Sequence, residues 1–166
     1  NVSSLLSDAA LWFLTRAGAV HLVTRAELAA HPRPFEHEFT PGTPALFPSI
    51  DAALDAPGSK ALVFLFALHG GEGENGTLQA RFETRGVGYT GSDAASSARA
   101  FDKAITKALL GAKGARLAPA DVLEPADAAT LEPKLRALFT RAPRWVLKPV
   151  ADGSSVGLVH LTSVDE

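Results

Sequence analysis

The sequence predicts an α/β protein built on a parallel sheet, followed by the opening of a second, α+β unit. Three observations carry this reading. Ala61-Leu62-Val63-Phe64-Leu65-Phe66-Ala67-Leu68 is continuously apolar, as a strand covered on both faces of a parallel sheet must be. A glycine-rich loop, His69 to Gly76, follows it directly, and helical character resumes from Thr77 to about Arg85. Towards the C-terminal end, two short apolar runs flank the glycine-serine turn Asp152 to Ser155, the pattern of a hairpin.

The remaining elements follow in chain order. Ser4 to Ala17 reads as an amphipathic helix, apolar at Leu5, Leu6, Ala9, Leu11, Trp12, Phe13 and Leu14, with Gly18 as its stop. Val20 to Val23 is a short strand. Pro32 to Pro48 holds five prolines, which predicts an irregular connection. Ile50 to Leu54 makes a helical turn or more, closed by Pro57-Gly58. Gly86 to Thr90 is a short segment ending at Gly91, and the first domain is expected over 1–92. Ser92 or Asp93 caps a helix running to about Leu110, Pro125 to Thr140 is another, and Trp145–Val150 and Val156–Leu161 are the hairpin strands. The second unit is expected over 93–166.

Composition narrows the function classes. A chain of 166 residues suits one domain with a real core, or one small domain and part of a second. Its 46% hydrophobic and 20% charged residues are those of a folded protein rather than a disordered one. The net charge of −2, with basic residues scattered, leaves no electrostatic footprint for nucleic acid. Ala61–Leu68 is too short to span a bilayer, and no polybasic anchor is present. The lack of cysteine removes thiolate catalysis and cysteine-based zinc sites and fits a cytosolic setting. Asn1-Val2-Ser3 has no basic n-region, so a signal peptide is not expected. The absence of any methionine leads us to expect either trimmed ends or further residues that the sequence does not include.

Two motifs carry chemistry. Gly71-Glu72-Gly73-Glu74-Asn75-Gly76 has the G-x-G-x-x-G spacing of a dinucleotide loop, but its two carboxylates repel a diphosphate. The same glycines also serve a plain tight turn. Neither account explains why His69, Glu74 and Asn75 gather at the carboxyl end of a strand, where open α/β sheets bind ligands. A small zwitterionic substrate would use a histidine and a carboxylate there, although a histidine after a strand is as readily structural.

The second motif is Lys148-Pro149-Val150-Ala151-Asp152-Gly153-Ser154-Ser155-Val156-Gly157. A lysine ending a strand, then a small turn, sets a cation beside backbone amides and suits a triphosphate. It is not a Walker A loop, because the lysine comes first, and a kinase places its glycine loop before its lysine. The alternative is an ordinary polar hairpin turn with Lys148 solvated.

Four segments in order carry a resemblance: His69-Gly70-Gly71-Glu72-Gly73-Glu74-Asn75-Gly76-Thr77-Leu78-Gln79, then Tyr89-Thr90-Gly91-Ser92, then Asp102-Lys103 with Lys107, then the Lys148–Gly157 stretch. Together they are similar to the D-alanine–D-alanine ligases of the ATP-grasp family. The resemblance implies an N-terminal Rossmann-like parallel-sheet domain followed by the start of an α+β ATP-grasp domain. It implies a cytoplasmic, homodimeric enzyme of peptidoglycan synthesis that uses ATP and Mg²⁺. ATP phosphorylates one D-alanine, and the amine of a second attacks the acyl phosphate. Carried over, Lys103, Lys148, Ser155, Val156 and Gly157 bind ATP, His69 and Glu74 help form the D-alanine pocket, and Ser154 is the catalytic-network residue. Phe101 stands where the family commonly has methionine. The family's substrate-anchoring acidic loop is expected before Asn1; its adenine hinge, lid, arginine and magnesium ligands are expected beyond Glu166. The 166 residues alone are therefore expected not to turn over. A non-catalytic dimerisation module and a related carboxylate–amine ligase, such as a D-alanine–D-lactate enzyme, are the alternatives.

Overall fold

The structure, a computed structural model, describes residues 8–33, 36–124, 130–153 and 155–163. The chain divides into two compact units, Asn1–Val63 with Thr84–Gly88, and Phe64–Glu83 with Tyr89–Glu166.

In the first unit, strands β1 (Leu11–Leu14) and β2 (Val20–Val23) form an antiparallel hairpin, Leu11 facing Val23 and Leu14 facing Val20. This corrects the helix expected over Ser4–Ala17, whose first residues lie outside the described ones. Apolar density suggested a helix there without a clean period, and density alone does not separate helix from strand. Trp12 and Phe13 favour the pleated surface, and their rings find partners 5.5 Å away in Phe47 and 4.9 Å away in Phe39. Gly18 takes φ +89°, but to close the hairpin rather than a helix. Thr15 N–H donates to the Ala19 carbonyl at 2.9 Å, and Gly18 N–H to the Thr15 carbonyl.

Helix α1 (Arg25–Ala29) starts on a capping box, Thr24 Oγ1 accepting from Glu27 N–H and the Glu27 carboxylate accepting from Thr24 N–H. The proline-rich stretch forms no helix or strand among its described residues, as expected, and joins the hairpin through a bridge between Phe47 and Val20. Helix α2 (Ile50–Asp55) is capped by Ser49 and buries Ile50, Ala53 and Leu54. Val20, Val23 and Val87 are the other buried apolar residues among those described in this unit. Arg85 joins Asp51 at 3.1 Å and Asp55 at 2.7 Å.

The apolar run Ala61–Leu68 behaves differently from expectation. Its only strand residues are β3 (Val63–Phe64), paired with β4 (Gly88–Tyr89). The run is covered on one face instead of two. Phe64 and Phe66 are half-buried, whereas Val63 is 74% and Leu65 59% exposed. Burial on both sides needs cover on both faces, and the described residues supply it on one. The described strands form three two-stranded sheets, and the two with a defined register are antiparallel.

Helix α3 (Thr77–Arg85) falls where the sequence predicts it. Its Phe82 is almost fully buried and meets Phe64, Phe66 and Tyr89 edge-on, with centroids 5.0, 4.9 and 5.8 Å away. The single helix expected to run to Leu110 is two, α4 (Ala94–Phe101) and α5 (Lys103–Ala112). Asp102, extended at ψ 112°, breaks it: its side chain accepts from Ile105 N–H and starts a new helix. Asp93 caps α4 through Ser96 N–H. Helix α6 (Leu131–Phe139) lies inside the expected Pro125–Thr140, of which 125–129 are outside the described residues. The hairpin is present as β5 (Trp145–Leu147) and β6 (Val159–Leu161), with Trp145 facing Leu161. No described helix is long and apolar enough to cross a membrane.

Candidate functional site

The first motif is folded into a short 3₁₀ turn, Gly71–Gly73, separated from α3 by Glu74, Asn75 and Gly76. Two side chains hold it. Gln79, 5% exposed, donates from Nε2 to the Gly73 carbonyl at 2.8 Å, and the Asn75 side chain accepts from Thr77 N–H at 2.9 Å. Glycine is required at Gly76: at φ +89°, a Cβ there would lie 2.3 Å from the Ala94 carbonyl oxygen. The close approach brings the start of α3 against the start of α4.

This geometry argues against a diphosphate. One amide at the helix start, Thr77 N–H, is already satisfied by Asn75, and the two carboxylates remain in the loop. Glu72 is 3.4 Å from Arg81. Glu74 lies 3.9 Å from His69 Nδ1, an ion pair when the histidine is protonated, with His69 81% and Glu74 41% exposed. Glu74 and Gln79, with Ser92, Ser97, Ala100 and Phe101, line a cleft of about 330 Å³. The structure thus brings His69 and Glu74 together, as a site for a small polar ligand requires.

The second motif meets the first. Glu74 Oε2 lies 3.3 Å from where a Cβ on Gly153 would stand. From α5, Lys103 N–H donates to the Val150 carbonyl at 3.0 Å, and its ammonium donates to the Asp152 carbonyl at 2.6 Å and more loosely to Val150 at 3.3 Å. Lys148, exposed just past β5, makes no hydrogen bond or ion pair with any described residue. Ser155 takes φ 62° and Gly157 φ 65° in the turn. Val156 N–H donates to Gly153 and Leu158 N–H to Ser155. A Cβ at Gly157 would come within 2.9 Å of Pro149 Cγ, so the turn closes back on the residue after Lys148. Ser154 lies outside the described residues.

A polyphosphate fits the two ammonium groups in kind: that of Lys148, which no described residue engages, and that of Lys103, which rests on the Val150 and Asp152 carbonyls. Among the described residues no three His, Asp or Glu side chains gather as a metal site, so no step is assigned to a metal held by them.

Two residues hold the frame of the site in ways that the sequence does not signal. Gln79 stands in the first motif without a role that the pattern reveals; it pins the Gly73 carbonyl while its buried Oε1 finds no hydrogen-bond partner among the described residues. Glu83 accepts from Tyr89 Oη at 2.6 Å and from Ala94 N–H at 2.8 Å, tying α3 to the Tyr-Thr-Gly-Ser turn and to the start of α4. Burial first, and then this hydrogen bond, push the Tyr89 phenol up to about 12. A carboxylate facing an amide eleven residues on leaves no periodic signal.

No family model matches the chain. It is 38% identical over 104 residues to a protein named D-alanine–D-alanine ligase from Rhodopseudomonas palustris, a match covering 63% of this chain and 32% of that protein. A Mycobacterium ulcerans protein of the same name is 39% identical over 99 residues, or 60% and 26%. The chain spans about a third or less of the length of these relatives. Among solved structures, D-alanine–D-alanine ligase from Coxiella burnetii matches with TM-score 0.67 at 27% identity, over 94% of this chain and 47% of that one. The Helicobacter pylori ligase, with TM-score 0.72 over 98% and 50%, is 18% identical and shows likeness of fold alone. A D-Ala:D-Ser ligase from Enterococcus faecalis matches 61% of this chain and 29% of its own, with TM-score 0.54 at 31% identity.

Proposed function

We propose that this chain is the N-terminal portion of an ATP-dependent D-alanine–D-alanine ligase acting in cell-wall peptidoglycan synthesis. The observation that carries the proposal is the convergence of two separated segments on one glycine-serine turn. Glu74 approaches Gly153 from one motif, and Lys103 reaches the carbonyls of Val150 and Asp152 from another. Identity of 36–42% to proteins bearing that name, over roughly 60% of the chain, supports the same reading.

In this proposal residues 1–92 are the Rossmann-like domain and 93–166 the beginning of the ATP-grasp domain, in a cytoplasmic homodimer. Lys148 and Lys103 neutralise the nucleotide's phosphates, and Ser155, Val156 and Gly157 fold over them, with Ser154 joining this turn to the substrate network. His69 and Glu74 orient D-alanine through its charged groups. Mg²⁺, when bound, would offset phosphate charge; no group of three His, Asp or Glu side chains among the described residues is placed to hold it. The chemistry is transfer of the ATP γ-phosphoryl group to one D-alanine carboxylate, leaving ADP, and attack by the amine of a second D-alanine on that acyl phosphate, forming the peptide bond and expelling phosphate.

Thermal shift with Mg·ATP tests the nucleotide part on the 166-residue chain. A ligand at a hundred times its Kd stabilises by about 2.7 kcal/mol. A rise in Tm that Lys148→Ala removes is the expected result. Self-association with no nucleotide-dependent shift would overturn it in favour of a dimerisation module. The likeness to the D-Ala:D-Ser ligase favours a second reading, a different second substrate. In the full-length protein, phosphate release with D-alanine alone, rather than only with added D-serine or D-lactate, separates the two.

A further inference from the structure

The segment Val150–Gly153 is held on one side and faced by a carboxylate on the other. On one side it accepts three hydrogen bonds from a single residue: Lys103 N–H to Val150, and the Lys103 ammonium to Val150 and Asp152. On the other, Gly153 faces Glu74, whose carboxylate oxygen would lie 3.3 Å from a Cβ built on Gly153. Gly153 does not have a positive φ, so its backbone tolerates a side chain; the carboxylate is what limits the space. Asp152 adds a local brace, its carboxylate accepting from Gly153 N–H at 2.7 Å. Lys103, Val150, Asp152 and Gly153 are all half-buried, so these contacts are partly shielded from water.

We infer that Val150–Gly153 is a strap linking the cation of Lys103 to the carboxylate of Glu74, so that a polyphosphate at Lys103 resets the position of Glu74. The inference rests on the proposed placing of phosphate at Lys103 and amino acid at Glu74. A neutral carbonyl is a weaker partner for an ammonium than a phosphate oxygen. A phosphate near Lys103 therefore draws the ammonium off Asp152, and the strap loses its stronger side-chain tie while keeping the main-chain bond to Val150. Gly153, freed to shift, changes the space in front of Glu74. The linkage is reciprocal: a ligand that moves Glu74 away from Gly153 changes how firmly the strap holds Lys103.

Amide hydrogen exchange at Val156 and Leu158, whose N–H groups bond to Gly153 and Ser155, reads the strap directly in the 166-residue chain. Lys103→Met should speed exchange there about tenfold, Lys103→Arg should largely restore protection, and Lys107→Met, which removes an ammonium bonded to Ala118, should change nothing. Inorganic tripolyphosphate should speed the same amides in the wild type and leave Lys103→Met unaffected. Gly153→Ala, which disturbs the Glu74 side, should combine non-additively with Lys103→Met. Additive effects, or no response of the wild type to tripolyphosphate, overturn the strap. A nucleotide-dependent Tm shift alongside that result would leave the ligase reading standing, so the two failures are distinguishable.

Discussion

Tyr89 is the chain's single tyrosine, so its ionisation can be followed without interference. Burial is the larger cause of its raised pKa and the Glu83 hydrogen bond the next. The tyrosinate absorbance should titrate with a midpoint of about 12, against an ordinary phenol near ~10. Because the folded value lies above the unfolded one, the stability this group contributes is fully present below the ordinary value. It is lost as pH rises through the folded one. Glu83→Gln should bring the midpoint down, though not fully to the ordinary value, since burial remains. A midpoint unmoved by Glu83→Gln would show that the 2.6 Å bond has no part in the shift. At this scale the sequence was informative about chemistry and silent about partners. Lys148 is recognisable as a cation at a strand end, but that Lys103 rests on Val150 and Asp152 depends on a residue nearly fifty positions away.

Element by element, local signals decided where helices start. Ser49, Asp93 and Asp102 each accept from the amide three residues on, and short side chains of this kind satisfy orphan amides at any helix start. Asp102 also shows why one expected helix became two: the same side chain that ends α4 in an extended residue opens α5. Helix α3 depends on packing as well as on its ends. Phe82, 1% exposed and surrounded by Phe64, Phe66 and Tyr89, is its anchor. Truncation of a buried phenylalanine costs about 3–5 kcal/mol, a large part of the roughly 5–15 kcal/mol available to a domain. Phe82→Ala should therefore lower the urea midpoint severely or prevent folding, and Phe82→Leu should recover part of it. Urea unfolding followed by circular dichroism measures both.

For the whole molecule the exposed apolar residues are the main feature. Val63 and Leu65 stand on the uncovered face of the run that contains β3, while Val146, Val156 and Val159 are each about half exposed on or beside the β5–β6 hairpin. Apolar surface of this extent favours association with other apolar surface. The paired change Val63→Ser and Leu65→Ser should reduce self-association in sedimentation velocity, and the unfolding free energy should stay within about 0.5 kcal/mol of wild type, as for exposed positions generally. A large loss of stability would show that these side chains are buried in solution.

Legible in the sequence were the order of the motifs, the cap at Asp93, the irregular proline-rich connection and the C-terminal hairpin. Each of these depends on neighbours a few residues apart: a capping side chain, a proline without an N–H, a glycine able to take a left-handed turn. Tertiary structure decided the rest. Whether Leu11–Leu14 became helix or strand depended on Phe47 and Phe39, which receive its aromatic rings. The side of Ala61–Leu68 that is covered depended on Phe82. The meeting of Glu74, Gly153 and Lys103 depended on loops closing across dozens of residues. Such contacts are selected by packing and electrostatics summed over distant parts of the chain, and no local spacing records them.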